Sequence, residues 1–101
     1  MEYNRHYTPA TDIFQSDDGY LLHLDVPGVA QAEIDLTVEG RHLTVRAGGA
    51  DDETPRWWRR FNLPRTVDVE AVEAQHRDGV LAVRLPLMAK DRTRRVAITA
   101  G

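Results

Sequence analysis

The sequence predicts an all-β protein, a single antiparallel β-sandwich, on three observations. Apolar and polar residues alternate along several short segments, the period of a strand with one wet face. Turn residues fall between those segments at regular spacing, the pattern of a sandwich. Helical periodicity is thin, and 101 residues of 11.4 kDa are the size of one domain.

The elements follow in chain order. Tyr20, Leu22, Leu24 and Val26 share one parity, with Leu21, His23 and Asp25 on the other. Ile34, Leu36 and Val38 alternate with Asp35, Thr37 and Glu39, and Leu43, Val45 and Ala47 with Thr44 and Arg46. Trp57, Arg59, Phe61 and Leu63 share a parity, as do Leu81, Val83 and Leu85, and Val96 with Ile98 reads as a last short strand. Asp17-Asp18-Gly19, Pro27-Gly28, Glu39-Gly40-Arg41, Gly48-Gly49 and Asp78-Gly79 supply the turns. Asp78-Gly79 between alternating flanks is a strong hairpin signal. Asp68 to His76 reads either as a helix or as an irregular bend followed by a strand carrying Val72, Ala74 and His76. The expected organisation is a short arm at 1–8, a sandwich of about seven or eight strands at 9–87, and an arginine-rich extension at 88–101.

Composition narrows the function classes. With no cysteine there is no disulfide framework, thiolate zinc site or cysteine nucleophile. No apolar run approaches the length of a membrane span, and Met-Glu-Tyr-Asn-Arg-His lacks the order of a signal peptide, so the cytoplasm is expected and a membrane partner is not. Net charge is −3, and twelve arginines stand against the single Lys90, which favours planar, bidentate contacts over point charges.

Residues that could carry chemistry have simpler readings. Ser16, the one serine, sits in Gln-Ser-Asp-Asp-Gly, where its hydroxyl shapes the turn. There is no Gly-x-Ser-x-Gly elbow, phosphate loop or His-Glu-x-x-His motif, so neither an enzyme nor a cofactor is expected. Asp51-Asp52-Glu53 lacks the spacing that folds oxygens around calcium and reads as a solvated loop. His6, His23, His42 and His76 are scattered singly, which is not metal-ligand spacing. His76 stands out because it shares parity with Val72 and Ala74, on an otherwise apolar face. Arg56-Trp57-Trp58-Arg59-Arg60 resembles a nucleic-acid platform, but a strand sends Trp57, Arg59 and Phe61 to one face and Trp58 and Arg60 to the other, so no nucleic-acid partner is expected. Trp58 reads as an exposed anchor for protein contact.

Several motifs in order resemble the α-crystallin domain of the small heat-shock proteins. They are Pro9-Ala10-Thr11-Asp12-Ile13, Leu24-Asp25-Val26-Pro27-Gly28-Val29, and Leu43-Thr44-Val45 followed by Gly48. Then come Trp57-x-Arg59-x-Phe61-x-Leu63-Pro64 and Ala74-x-x-x-x-Gly79-Val80-Leu81-x-Val83-x-Leu85-Pro86, so the resemblance spans nearly the whole chain. It implies an immunoglobulin-like sandwich and an ATP-independent chaperone that holds unfolding client proteins. It also implies a tail motif, here Val96-Ala97-Ile98, that docks between two strands of a neighbouring subunit. The receiving groove then lies between the strands carrying Ile34, Leu36 and Val38 and those carrying Val72, Ala74 and His76. With His76 at its edge, docking either responds to pH in the range where an imidazole titrates, about 5 to 8, or, if the ring faces solvent, is indifferent to it. Arg59 falls where the family usually has an arginine that pairs with acidic residues at the dimer interface.

Two departures from the family pattern shape the expectations. Only Met1 to Thr8 precede the domain, short of the usual client-binding arm. Between Ala47 and Trp57 the chain is far shorter than the loop with which bacterial members swap a strand. The dimer is then expected to pair edge to edge through Trp57, Trp58, Arg59 and Phe61, or the protein to be monomeric. Two other readings are an adaptor-type co-chaperone with a CS domain, and a minimal subunit that co-assembles with longer small heat-shock proteins.

Overall fold

The computed structural model describes residues 6–49 and 54–101. Among them are seven strands: β1 (Thr11–Ser16), β2 (Gly19–Asp25), β3 (Ile34–Glu39), β4 (His42–Gly48), β5 (Arg56–Asn62), β6 (Glu73–Arg77) and β7 (Val80–Pro86). They form a four-stranded sheet, β1-β2-β7-β6, and a three-stranded sheet, β3-β4-β5, in which every strand pair is antiparallel. The described residues contain no α-helix, only single 3-10 turns at Gln31–Glu33, Val69–Ala71 and Ala89–Asp91.

The alternation places the core. Leu22 and Leu24 of β2, Leu43, Val45 and Ala47 of β4, and Leu81, Val83 and Leu85 of β7 are all buried, and Val26, Val29, Leu63 and Val67 close the sandwich around them. These three strands are the ones with a neighbour on each side, so their inner faces are covered by the opposite sheet from edge to edge. The edge strands β1, β3, β5 and β6 bury less; β3 still alternates cleanly, whereas β1, β5 and β6 do not. In β1, Ile13 lies opposite Leu22 and Phe14 opposite Leu21, so one faces inward and the other outward, and both stay exposed.

Local chemistry sets the turns. The Ser16 hydroxyl oxygen accepts the Asp18 N–H at 3.3 Å, as read from the sequence. Asp78 at φ 51° and Gly79 at φ 77° form the mirror-image turn that matches strand twist, also as read. Of the two readings of 68–76 the second holds. The Asp68 carboxylate accepts the Glu70 N–H at 3.1 Å and caps one 3-10 turn, after which pairing with β7 draws the chain into β6. The Arg41 Nη1 donates to the carbonyls of Pro64 and Val67, at 2.9 and 3.0 Å, and ties that loop to the β3–β4 hairpin.

The two chain ends depart from expectation in opposite ways. Tyr7, within the expected arm, forms a parallel bridge with Trp57: its N–H donates to the Arg56 carbonyl at 2.8 Å and its carbonyl accepts the Trp58 N–H at 3.0 Å. The fully buried Pro9 then carries the chain across to β1 in the other sheet. Val96 and Ile98, read by parity as a last strand, pair with no strand among the described residues and are 70% and 96% exposed. Three residues of alternation do not specify a partner edge. The last backbone ties to the sandwich are the Leu87 N–H to the Asp18 carbonyl (2.8 Å) and the Met88 N–H to the Thr66 carbonyl (2.7 Å).

Candidate docking groove and open edges

The residues expected to line the groove share one orientation. Ile34, Leu36 and Val38 lie opposite Ala47, Val45 and Leu43, while Ala74 and His76 lie opposite Val83 and Leu81. Directly opposed residues share a face of the sheet, and all five partners are buried, so both sets point between the sheets. At the other side of the sandwich, Ile13, Tyr20 and Leu22 line a cleft with Phe61 and Leu63, which sets β5 over β1 and β2. In an aligned sandwich β3 then falls over the β7–β6 end.

That side is open. Ile34, Leu36 and Val72 pack against the core, yet Val38 is 37% exposed and Ala74 is exposed although both face inward. His76 is half-buried, and its Nε2 is shielded from solvent with no hydrogen-bond partner. The structure therefore brings the six groove residues to one side of the fold. It leaves Val96 and Ile98 away from them, in solvent.

On β5, Trp57, Arg59 and Phe61 lie opposite the buried Ala47, Val45 and Leu43 and face inward, whereas Trp58 lies opposite Arg46 on the outer face and is 39% exposed. This is the separation that argues against a nucleic-acid platform. Among the described residues Arg59 forms no ion pair; its guanidinium lies over the Phe61 ring. The Trp57 ring packs on Tyr7 at 5.5 Å, and its buried Nε1 has no partner. Tyr7 and Arg41 are contributors that the sequence reading missed: one acts through a single-residue bridge, the other through backbone carbonyls, and neither leaves a periodic signal.

The described charges carry little else. The ion pairs Arg77–Asp78 (3.8 Å) and Arg84–Glu73 (4.0 Å) are solvent-exposed and contribute little. No group of three or more metal-ligating side chains occurs among the described residues, and Asp51, Asp52 and Glu53 lie outside them. No helix among the described residues is long and apolar enough to cross a membrane.

Known proteins share this arrangement. Residues 12–99 match the Hsp20/alpha crystallin family. The 18 kDa antigen 2 of Mycobacterium avium is 34% identical over 86% of this chain and 71% of its own length. The 18 kDa heat shock protein of Streptomyces albus G is 32% identical over 89% of this chain and 72% of its own length. In fold, a small heat-shock protein structure from Xylella fastidiosa superposes with a TM-score of 0.75 at 22% identity, covering 95% of this chain and 100% of that one. These matches favour the small heat-shock reading over the CS-domain alternative. The described sandwich is an α-crystallin domain, and the chain belongs to the Hsp20/alpha crystallin family of small heat-shock chaperones.

Proposed function

We propose that this chain is an ATP-independent holdase that binds unfolding proteins and limits their aggregation, and that it self-assembles through two weak contacts. The observation that carries the reading is the pair of inward-facing but uncovered edge strands, with Val38 and Ala74 in solvent over an apolar floor. Holding a client needs no catalytic group, only apolar surface and unpaired strand edges offered to an unfolding chain.

In the first contact, Val96 and Ile98 dock into the groove of Ile34, Leu36, Val38, Val72, Ala74 and His76 on a neighbouring copy. Their spacing puts both side chains on one face of an extended segment, with Ala97 on the other. In the second, β5 pairs with another copy along the edge formed by Trp57, Trp58, Arg59 and Phe61.

The test is aggregation of several unrelated thermally unfolding clients, followed by light scattering with and without ATP. Suppression that is the same in both conditions is the expected result. A strict ATP requirement overturns the holdase reading. So does an absence of suppression at stoichiometric excess, and suppression that then appears only with a longer family member present assigns the chain to co-assembly instead.

A further inference from the structure

The β5 edge is not wholly free in the folded chain. Alternate residues of a strand point their backbone groups to opposite sides. Arg56 and Trp58 bond outward, away from β4, so Arg60 and Asn62 also present their N–H and C=O outward. Tyr7 occupies this edge at its first half, taking the Arg56 carbonyl and the Trp58 N–H, and its ring covers Trp57. Among the described residues, what remains open is the half at Arg60 and Asn62, a shorter ladder than the whole edge.

We propose that the segment around Tyr7 is an intramolecular cap that competes with a second copy of this chain for the β5 edge. The proposal rests on the reading of β5 as a self-association edge. The occupant of the uncapped edge is a second copy because the same unpaired groups on its own β5 meet these in an antiparallel register, with Trp58, exposed beside them, joining the contact. The cap is built to yield. Among the described residues it is one bridge residue, half exposed, held by two backbone hydrogen bonds and one tilted ring contact, and Tyr7 is not a core side chain. Such single-bridge segments open at small cost compared with the sandwich. Opening it joins the outward groups of Trp58 to those of Arg60 and Asn62. Because the partner binds only the uncapped form, the apparent dissociation constant is the intrinsic one divided by the uncapped fraction.

The experiment is sedimentation of the full chain over a concentration series, comparing wild type with Tyr7→Pro, which removes the donated N–H and the ring. A cap closed about nine-tenths of the time weakens association about tenfold, so Tyr7→Pro is expected to associate about tenfold more tightly. Tyr7→Ala, which keeps the backbone donor and loses only the ring contact, is expected to shift association the same way by a smaller factor. A thermal melt checks that each variant is folded. Unchanged affinity in both variants overturns the cap, and weaker association in either shows that Tyr7 belongs to the contact instead of opposing it.

Arg60→Pro separates the cap from the reading beneath it. It removes an outward N–H while leaving the β4 ladder intact, and proline is tolerated on such an edge. Loss of association in Arg60→Pro with no gain in the Tyr7 variants defeats the cap alone. Retained association in Arg60→Pro, or no association by any of these chains, defeats the β5 edge and the cap with it.

Discussion

The guanidinium carbon of Arg59 lies 4.7 Å from the ring centroid of Phe61, two residues along the inward face of β5. An inward-pointing charge on an edge strand is a recurrent device against unspecific sheet extension, and a partner must supply a matching acid or leave the charge desolvated. On the proposed reading of β5 as a self-association edge, an acid of the second copy pairs with Arg59, and losing that pair weakens the contact.

Replacing Arg59 by alanine is therefore expected to separate two quantities. The stacking on a partly exposed ring contributes about 0.5–1 kcal/mol to the fold, so the melting temperature falls by only a few degrees. Self-association, measured by sedimentation, is expected to weaken several-fold. Unchanged association in Arg59→Ala would show that β5 is the wrong interface.

His76 offers a stability test on the other side of the sandwich. Its shielded Nε2 has no hydrogen-bond partner, and leaving a buried polar group unpaired costs about 1–3 kcal/mol. A leucine in its place faces the same apolar neighbours, across from Leu81, without that penalty. His76→Leu is expected to raise the melting temperature by several degrees. A lower melting temperature would reveal that the imidazole is hydrogen-bonded in solution.

Gly48 ends β4 where the chain turns toward β5. It sits at φ +83°, and a Cβ there would collide with the Pro55 carbonyl oxygen, a backbone atom that can move only if the connection moves. Left-handed backbone costs a side-chain-bearing residue about 1–2 kcal/mol before any collision is counted. Gly48→Ala is expected to cost more than about 2 kcal/mol in a denaturant titration and to lower the melting temperature by about 10 °C. A loss below about 0.5 kcal/mol would mean that this close approach is relaxed in solution.

Sequence legibility follows alternation, which the partly exposed edge strand β3 also keeps. Strands β2, β4 and β7 have both neighbours and a fully covered inner face, so Leu22 and Leu24, Leu43 and Val45, and Leu81 and Val83 stand out by alternation alone. The edge strand β1 carries Ile13 and Phe14 side by side, which breaks the period. That strand entered the sequence reading only through the family motif that begins at Pro9. The Tyr7 bridge is a single pairing and leaves no pattern at all. Val96 and Ile98 show the reverse error: the period of a strand was present without an edge to pair with. The candidate groove residues came from the family resemblance, and strand pairing then gives Ile34, Leu36 and Val38, and Ala74 and His76, an inward direction. Their exposure was not legible, because it depends on which strand of the opposite sheet fails to cover them.

The tail supplies the last prediction. Val96 and Ile98 are exposed and bond to no strand, so Val96→Ala with Ile98→Ala is expected to leave the melting temperature of the domain unchanged within about a degree. Assembly should respond instead. Two buried aliphatic side chains contribute about 3–6 kcal/mol gross, which corresponds to affinity no tighter than tens of micromolar before ordering costs are subtracted. One tail is thus a weak contact, and only several engaged together hold an assembly. Geometry limits it further: Ala89–Asp91 form a 3-10 turn, and the Arg92 Nε donates to the Leu87 carbonyl at 3.1 Å, so the extended reach begins at Arg92. Four residues to Val96 span about 13 Å at roughly 3.3 Å each, and a more distant groove requires that turn to unwind. Adding one methylene with Val96→Ile is expected to tighten docking by about 0.8 kcal/mol, near fourfold per site, and the double alanine variant to abolish it. Titration of a fluorescent peptide covering 92–101 onto the folded domain reads both. Equal affinity for the wild-type and double-alanine peptides would remove Val96 and Ile98 from assembly.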